Sequence, residues 1–215
     1  MNHLAIIADG NRRWARANDL PTKYGYLQGL VTVERCCEWA ISRGVENLTV
    51  FCFSTENWGR PQNEVDLLMD LARWYFTEKR PWYVNRGIRV RFIGRRDRFE
   101  KDLHDMIYRM EEETAGGSHL TLTLCLDYGG RDEIVRAVAD GARTEEEISA
   151  ALSYGIPDPD MILRTGGDMR LSNFMLWQSA YSELFFVKTP FPDLDDTTLN
   201  NLLEEYSGRK RNYGH

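Results

Sequence analysis

Leu4-Ala5-Ile6-Ile7-Ala8-Asp9-Gly10-Asn11-Arg12-Arg13-Trp14 carries the chain from one kind of structure into another. Leu4–Ile7 is an apolar run of strand length, Asp9-Gly10 is a turn signal, and Asn11–Asn18 reads as the start of a helix. A buried strand that runs through a glycine turn into a helix opens a βα unit, and the pattern returns downstream. Leu48–Phe53 is a second buried strand, followed by the polar loop Ser54–Pro61, and Ile88–Ile93 and Leu120–Leu126 are further strands. Met161–Leu163 and Leu184–Val187 read as short strands. Between them, Leu27–Arg43 has helical periodicity and stops at Gly44, and Glu64–Asn85 reads as largely one long helix with the stripe Val65, Leu68, Met69, Ala72 and Phe76. Pro81 should kink or end that helix. Arg98–Thr114 is an amphipathic helix, Asp127-Tyr-Gly-Gly-Arg131 opens the next, Thr144 begins another with an acidic first turn, and Asp196–Tyr206 is the last. This alternation predicts an α/β fold: a single domain over residues 1–215, with a mainly parallel central sheet of about six strands flanked by helices.

Polar residues gather where the strands are predicted to end: Asp9–Arg13, Ser54–Arg60, Asp127–Arg131 and Arg164–Ser172. Parallel sheets bind ligands beyond the carboxyl ends of their strands, so the four clusters are expected to face one crevice. In Arg164-Thr-Gly-Gly-Asp-Met-Arg-Leu-Ser172, Arg164 and Arg170 flank a glycine turn beside a small hydroxyl. That is the chemistry of an oxyanion grip, for a phosphate or diphosphate; the plainer alternative is a pair of surface ion pairs. Asp9–Trp14 is a second candidate grip. A glycine turn into a helix presents free N–H groups to an anion, Arg13 adds charge, and Asp9 makes sense as a carboxylate holding Mg²⁺ against the phosphate. The alternative there is an ordinary capped helix with Asp9 in the turn. Ser54–Pro61 is either a capped surface loop with Glu56 solvated or a closing loop. In the latter reading Ser54 and Asn57 orient a substrate, Arg60 binds phosphate and Gly59 permits motion. Glu183, just ahead of Leu184-Phe-Phe186, is either a second metal ligand or a strand-edge charge. Phe51, Phe53, Trp74, Tyr75, Phe76 and Leu126 serve equally as core or as the wall of an apolar pocket, and such a pocket beside two phosphate sites fits an isoprenoid diphosphate.

Composition narrows the classes. A chain of 215 residues has room for a sizeable core. A net charge of −6 and a pI near 5.3 argue against generic nucleic-acid binding. Cys36, Cys37, Cys52 and Cys125 show no CxxC spacing and lie in apolar surroundings, as expected of reduced thiols in a cytoplasmic protein, and the scattered histidines argue against zinc. No apolar run approaches the length of a membrane span, which leaves room for peripheral membrane contact. The chain contains neither GxxxxGK[ST] nor GxGxxG, so a P-loop NTPase is not supported.

Five ordered motifs decide between these alternatives: His3-Leu-Ala-Ile-Ile-Ala-Asp-Gly-Asn-Arg-Arg-Trp-Ala15, Phe53-Ser-Thr-Glu-Asn-Trp-Gly-Arg-Pro61, Tyr128-Gly-Gly-Arg-Asp-Glu-Ile134, Asp160–Gln178 and Ala180-Tyr-Ser-Glu-Leu-Phe-Phe186. Over nearly its whole length the chain resembles the cis-prenyltransferases, the isoprenyl transferases typified by undecaprenyl diphosphate synthase. The resemblance implies a Mg²⁺-dependent homodimer that joins isopentenyl diphosphate to an allylic prenyl diphosphate with a new cis double bond. It implies that Asp9 is the catalytic carboxylate handling Mg²⁺ and the allylic diphosphate. Gly10, Asn11 and Arg13, with Arg12 and Trp14 of the same motif, would form the allylic phosphate loop. Ser54, Asn57, Trp58 and Arg60 would form the mobile catalytic loop, Arg164, Arg170 and Ser172 the isopentenyl diphosphate grip, and Glu183 a carboxylate assisting Mg²⁺.

The chain departs from that pattern in places. Ala8 stands for the usual Met, Tyr26 for a His tied to the allylic diphosphate, Thr22 (beside Lys23) for an Arg, Asp127 for an Asn and Asp168 for a Glu. The Arg-x-Gly that reaches the partner's site in many members reads Asn212-Tyr213-Gly214 here, with Lys210 and Arg211 nearby as substitutes. Cys52, Cys125, Leu126, Trp74, Tyr75 and Phe76 along the expected tunnel, and a short segment between Arg131 and Arg164, point to a product of roughly C10 to C35 that fills the apolar cavity. Two other readings remain: irregular head-to-middle coupling of allylic diphosphates, and a non-catalytic subunit of a heteromeric synthase. The retained Asp9, Arg13, Arg164 and Arg170 argue against the last.

Overall fold

The computed structural model describes residues 1–152 and 154–210, so Arg211 and Asn212-Tyr213-Gly214 lie outside the described residues. Six strands form one sheet: β1 (His3–Ile7), β2 (Asn47–Ser54), β3 (Ile88–Ile93), β4 (Leu120–Tyr128), β5 (Met161–Arg164) and β6 (Glu183–Phe186). Their order is β3-β4-β2-β1-β5-β6 and every pairing is parallel, as the alternation of strands and helices predicts. The helices are α1 (Asn11–Ala17), α2 (Thr22–Ser42), α3 (Gln62–Glu78), α4 (Arg80–Asn85), α5 (Lys101–Thr114), α6 (Gly130–Ala139), α7 (Glu145–Leu152) and α8 (Asp196–Gly208).

The strands read as near-continuous apolar runs because both sheet faces are covered. Side chains alternate between the faces. Leu4, Ile6, Leu48, Val50, Leu122, Leu124, Met161 and Leu163 join the larger core with residues of α2, α3, α5 and α8. Ala5, Ile7, Cys125 and Ile162 face a smaller one with Tyr128, Phe174 and Met175. Fully burying a Leu or Ile is worth about 1.5–3 kcal/mol, so the sheet is the rigid part from which the loops hang.

The element boundaries carry corrections. Glu64–Asn85 is two helices, broken at Lys79, because Pro81 has no N–H to give and its ring crowds the preceding turn. α2 begins at Thr22 rather than Leu27. Its first turn is packed so tightly on α1 that a Cβ on Gly25 would fall 2.1 Å from the Asn11 carbonyl oxygen, a contact the apolar pattern does not report. α5 begins at Lys101, and Arg98 is instead committed to an ion pair with the fully buried Asp127. Two 3₁₀ turns, Thr55–Gly59 and Phe191–Asp193, replace expected loop.

From β1 the chain winds to one side through β2, β3 and β4, then crosses to the other side for β5 and β6. The strand order therefore reverses at β1, where the carboxyl ends of β2, β1 and β5 stand side by side. Such a switch point is where α/β sheets leave a crevice.

Candidate active site

A cavity of about 620 Å³ opens at that switch point. Its mouth is polar, with Asp9, Arg13, Arg60, Arg164, Asp168 and Arg170 among its residues. Its depth is apolar, running between the sheet and α3 past Phe51, Leu68, Ala72, Tyr75, Phe76 and Leu126. Three of the four strand-end clusters meet there. The fourth does not: Asp127 is buried behind the mouth, accepting from Trp58 Nε1 at 2.9 Å and pairing with Arg98.

β5 delivers Arg164 to the mouth with only 5% of its side chain exposed. One of its terminal nitrogens donates to Ser172 Oγ at 2.7 Å and to the Arg170 carbonyl, and the other pairs with Asp9 Oδ2 at 2.9 Å. Arg170 reaches Asp168 Oδ2 at 2.9 Å and leaves most of its side chain in solvent. The turn comes close to β1 because Gly166 has φ +82°, and a Cβ there would lie 2.8 Å from Arg13 Nη2. Burial pushes the Asp9 carboxyl up. Arg164, Arg13 and the Gly10 N–H, which donates to Oδ1 at 2.6 Å, outweigh that and hold it below the usual carboxylate range. Asp9 therefore stays ionised.

The other rim is assembled from α1, α2 and α3. Arg13 Nη2 pairs with Asp9 Oδ1 at 3.1 Å, while Arg12 and Arg60 both converge on Glu64, at 3.1 and 3.0 Å. Tyr26 donates to Glu64 at 2.7 Å and accepts from Arg60 at 3.1 Å. Burial, then the neighbouring Glu64, push the Tyr26 hydroxyl up to about 12, so it stays a neutral donor. Ser54 and Asn57 form a reciprocal cap of the 3₁₀ turn, with Asn57 Oδ1 accepting the Ser54 N–H at 3.1 Å. That bond uses the Asn57 oxygen and leaves its NH₂ as the group available to a ligand. Gly10 and Asn11 line the cavity too.

Several predicted residues stand elsewhere. Trp14 lies outside the cavity and donates from Nε1 to Asp193 at 2.6 Å. Trp58 packs edge-on against Phe53 behind the loop. Glu183 is paired in register with Met161, at the opposite end of β5 from Arg164, and binds Arg209 at 2.7 Å. This chain therefore does not bring Glu183 to Asp9. Trp74 is 46% exposed on the outer side of α3, and Cys125 faces the smaller core, because neighbouring positions on a helix or strand point different ways. Cys52 does face the cavity. It is exposed there, and the desolvating protein around it pushes its thiol up to about 12.

Two further carboxylates stand in the site, each with a signal in the sequence. Asp168 joins Arg13, Arg164 and Arg170 in one charge cluster, a place that its position after Arg-Thr-Gly-Gly signals. Glu64 follows Arg60 at helical i,i+4 spacing, a readable pairing signal. Among the described residues no group of three or more His, Cys, Asp or Glu is placed to hold a metal. Asp9 and Asp168 nonetheless both face the mouth and share Arg13 and Arg164. Mg²⁺ takes one or two carboxylates and completes its shell with phosphate oxygens and water. The donor set thus fits an ion shared with a bound diphosphate.

Comparison with known proteins agrees with this geometry. The family model described as undecaprenyl diphosphate synthase matches residues 7–214. An isoprenyl transferase of Aquifex pyrophilus is 46% identical over 219 residues, 99% of this chain and 95% of that protein. A farnesyl-diphosphate-specific ditrans,polycis-undecaprenyl-diphosphate synthase of Xanthomonas axonopodis pv. citri is 43% identical over 225 residues, 99% of this chain and 88% of that protein. The crystal structure of lavandulyl diphosphate synthase from Lavandula x intermedia, in complex with dimethylallyl diphosphate, superposes with a TM-score of 0.94 at 29% identity, covering 100% of this chain and 98% of that one. A cationic mouth over an apolar cavity, at the switch point of a parallel sheet and carried by these motifs, places the chain in the undecaprenyl diphosphate synthase family of prenyl transferases.

Proposed function

We propose that this chain condenses isopentenyl diphosphate with an allylic prenyl diphosphate, with Mg²⁺, to make a Z-configured prenyl diphosphate of short to medium length. The observation that carries the reading is one cavity with two arginine grips at its mouth and hydrocarbon walls in its depth. Arg164, Arg170 and Ser172 hold the isopentenyl diphosphate. Arg13, with Arg12 and Arg60, holds the allylic diphosphate, whose prenyl tail lies along Phe51, Leu68 and Ala72. Breaking the allylic C–O bond builds charge on the leaving diphosphate, and fixed guanidinium groups stabilise it without reorganisation. Asp9 and Asp168 are the residues that would hold Mg²⁺, which when bound neutralises diphosphate charge. The apolar walls keep water from the carbocation while the double bond of isopentenyl diphosphate attacks it, and the cation so formed loses a proton to a diphosphate oxygen, which leaves the new double bond. A cavity of this size suits a ligand of moderate bulk, which supports a short to medium product. Tyr181 (79% exposed) and Leu184 (38%), near and on the edge strand β6, which among the described residues pairs with β5 alone, support a homodimer through that edge.

The test is incubation of the purified protein with Mg²⁺, isopentenyl diphosphate and, in parallel, dimethylallyl, geranyl, farnesyl or geranylgeranyl diphosphate, with products sized by mass spectrometry. Cis-elongated products that vanish in Asp9→Ala are expected. A C50–C55 product would overturn the length assignment. Product from dimethylallyl diphosphate alone would favour irregular coupling, the second reading, which the backbone likeness to a synthase holding that compound supports.

A further inference from the structure

Asn173 is committed three times over. It stands in the left-handed region at φ +66°, directly after Ser172 (φ +49°), and both are L-residues where glycine is the easier fit. Its backbone carbonyl accepts the Gly130 N–H at 2.7 Å and its side-chain oxygen accepts the Arg131 N–H at 2.9 Å. Those N–H groups belong to the first turn of α6, whose own preceding residue, Gly129, offers no side chain to cap it. The remaining amide NH₂ of Asn173 donates to Glu56 Oε1 at 2.8 Å, across 117 positions of sequence. Glu56 sits in the 3₁₀ turn whose cap is the Ser54–Asn57 pair.

We propose that Asn173 and Glu56 form a clasp that positions the two halves of the active site relative to each other. One side chain joins the loop after β5, which carries Arg164, Arg170 and Ser172, to the turn after β2, which carries Ser54 and Asn57, and anchors both on the amino terminus of α6. The contact is charge-assisted, and Glu56 is solvent-exposed, so the clasp can open without disturbing either core. Asn173 and Glu56 are positioning residues: they act through Ser172 and through the Ser54–Asn57 cap. The inference rests on the proposed reaction for its kinetic readout.

The experiment compares Glu56→Ala, Glu56→Gln, Asn173→Gly and the Glu56→Ala/Asn173→Gly double variant with the parent enzyme. Misplacing catalytic groups by about an ångström costs up to about 100-fold, so a drop in kcat of about tenfold is expected for Glu56→Ala and for Asn173→Gly, where glycine keeps the left-handed backbone. The double variant should be no worse than either single, and Glu56→Gln, which still offers an oxygen acceptor, should keep most of the rate. Amide hydrogen exchange across residues 54–60 should speed up in Glu56→Ala and not in Glu56→Gln, a readout independent of the reaction. Unchanged kcat and exchange in Glu56→Ala, equal damage in Glu56→Gln, or multiplying effects in the double variant would overturn the clasp. If Asn173→Gly does not fold, the two Glu56 variants still decide, since they leave the α6 cap intact. Absence of product from the parent enzyme with every primer, alongside the expected exchange pattern, would count against the reaction and not against the clasp.

Discussion

The two arginine grips at the cavity mouth are built in opposite ways. Arg164 is 5% exposed and issues from the end of β5, with each terminal nitrogen already assigned to Ser172, Asp9 and the Arg170 carbonyl. Arg12 and Arg13 are 55% and 51% exposed on a short helix, and Arg12 and Arg60 share one carboxylate, Glu64. The first grip is paid for in folding and changes little when a diphosphate arrives. Both grips hold internal anions, Asp9 and Asp168 at the first and Glu64 at the second, but Glu64 sits between two half-exposed or partly exposed arginines and is the one a diphosphate must displace. Preorganisation lowers the cost of binding and of stabilising developing charge, and an exchangeable counter-ion raises it.

The widest gap between the grips should appear on truncating each. Arg164→Ala removes the donor to Asp9 Oδ2 and to Ser172 Oγ, and a loss of about 100- to 1,000-fold in kcat/KM for isopentenyl diphosphate is expected. Arg164→Lys should recover little of it, because a single ammonium cannot reproduce the guanidinium fork that reaches Ser172 and Asp9 together. Arg12→Ala, at an exposed and screened position, should cost about tenfold or less. Steady-state kinetics with circular dichroism as a folding control check this. Equal losses at Arg12 and Arg164 would erase the distinction.

The difference between the grips also marks what could be read from sequence. β1 and β5 were legible because doubly buried parallel strands are short apolar runs, and each run stops at the residue where function begins, Asp9 or Arg164. The β5 grip was therefore visible nearly whole. In the other rim Arg12, Arg13, Tyr26 and Arg60 are legible in the motifs, but Glu64 and their meeting on it are not, because these residues come from α1, α2, α3 and the turn before it and meet only through tertiary packing. Trp14 and Trp58 lie in the motifs but away from the cavity, because a seven-residue helix and a 3₁₀ turn have too little periodicity to fix where an indole points. Glu183 depended on the β5–β6 register, which no local pattern encodes. Trp74 and Cys125 each lie one position from a cavity-lining neighbour, Tyr75 and Leu126, and that single step turns the side chain away.

Replacing the internal anion tests the exchangeable grip. Glu64→Gln keeps the shape of the side chain and frees Arg12 and Arg60 of their counter-charge. Binding of an allylic diphosphate, measured by calorimetry, should tighten by about tenfold, an effect that fades at high salt. Tyr26→Phe leaves every charge in place and removes two hydrogen bonds, one to the Glu64 carboxylate and one from Arg60, so its effect should stay within about tenfold. Weaker binding in Glu64→Gln would mean that Glu64 orients the two arginines instead of competing for them, and the second grip would then be as preorganised as the first.

The smallest effect lies behind the rigid grip. Glu133 is 1% exposed and accepts from Tyr154 at 2.9 Å, Gln178 at 3.1 Å and Tyr128, whose hydroxyl oxygen in turn accepts the Met175 N–H at 3.2 Å. This network backs the segment that carries Ser172 and Asn173. Burial pushes the Glu133 carboxyl above its ordinary range, and its three donors offset only part of that. A carboxyl raised in the folded state binds its proton more tightly there than in the unfolded chain. Its contribution to stability is full below the unfolded value and is lost as pH rises through the folded one. Thermal melts from acid to neutral pH should show the advantage of the parent over Glu133→Gln shrinking across that window. An advantage that instead grows with pH would mean that the three donors outweigh burial and that Glu133 sits ionised behind the loop. The Arg164 grip would then rest on a buried charge, and its rigidity would fail on acidification instead of on alkalinisation.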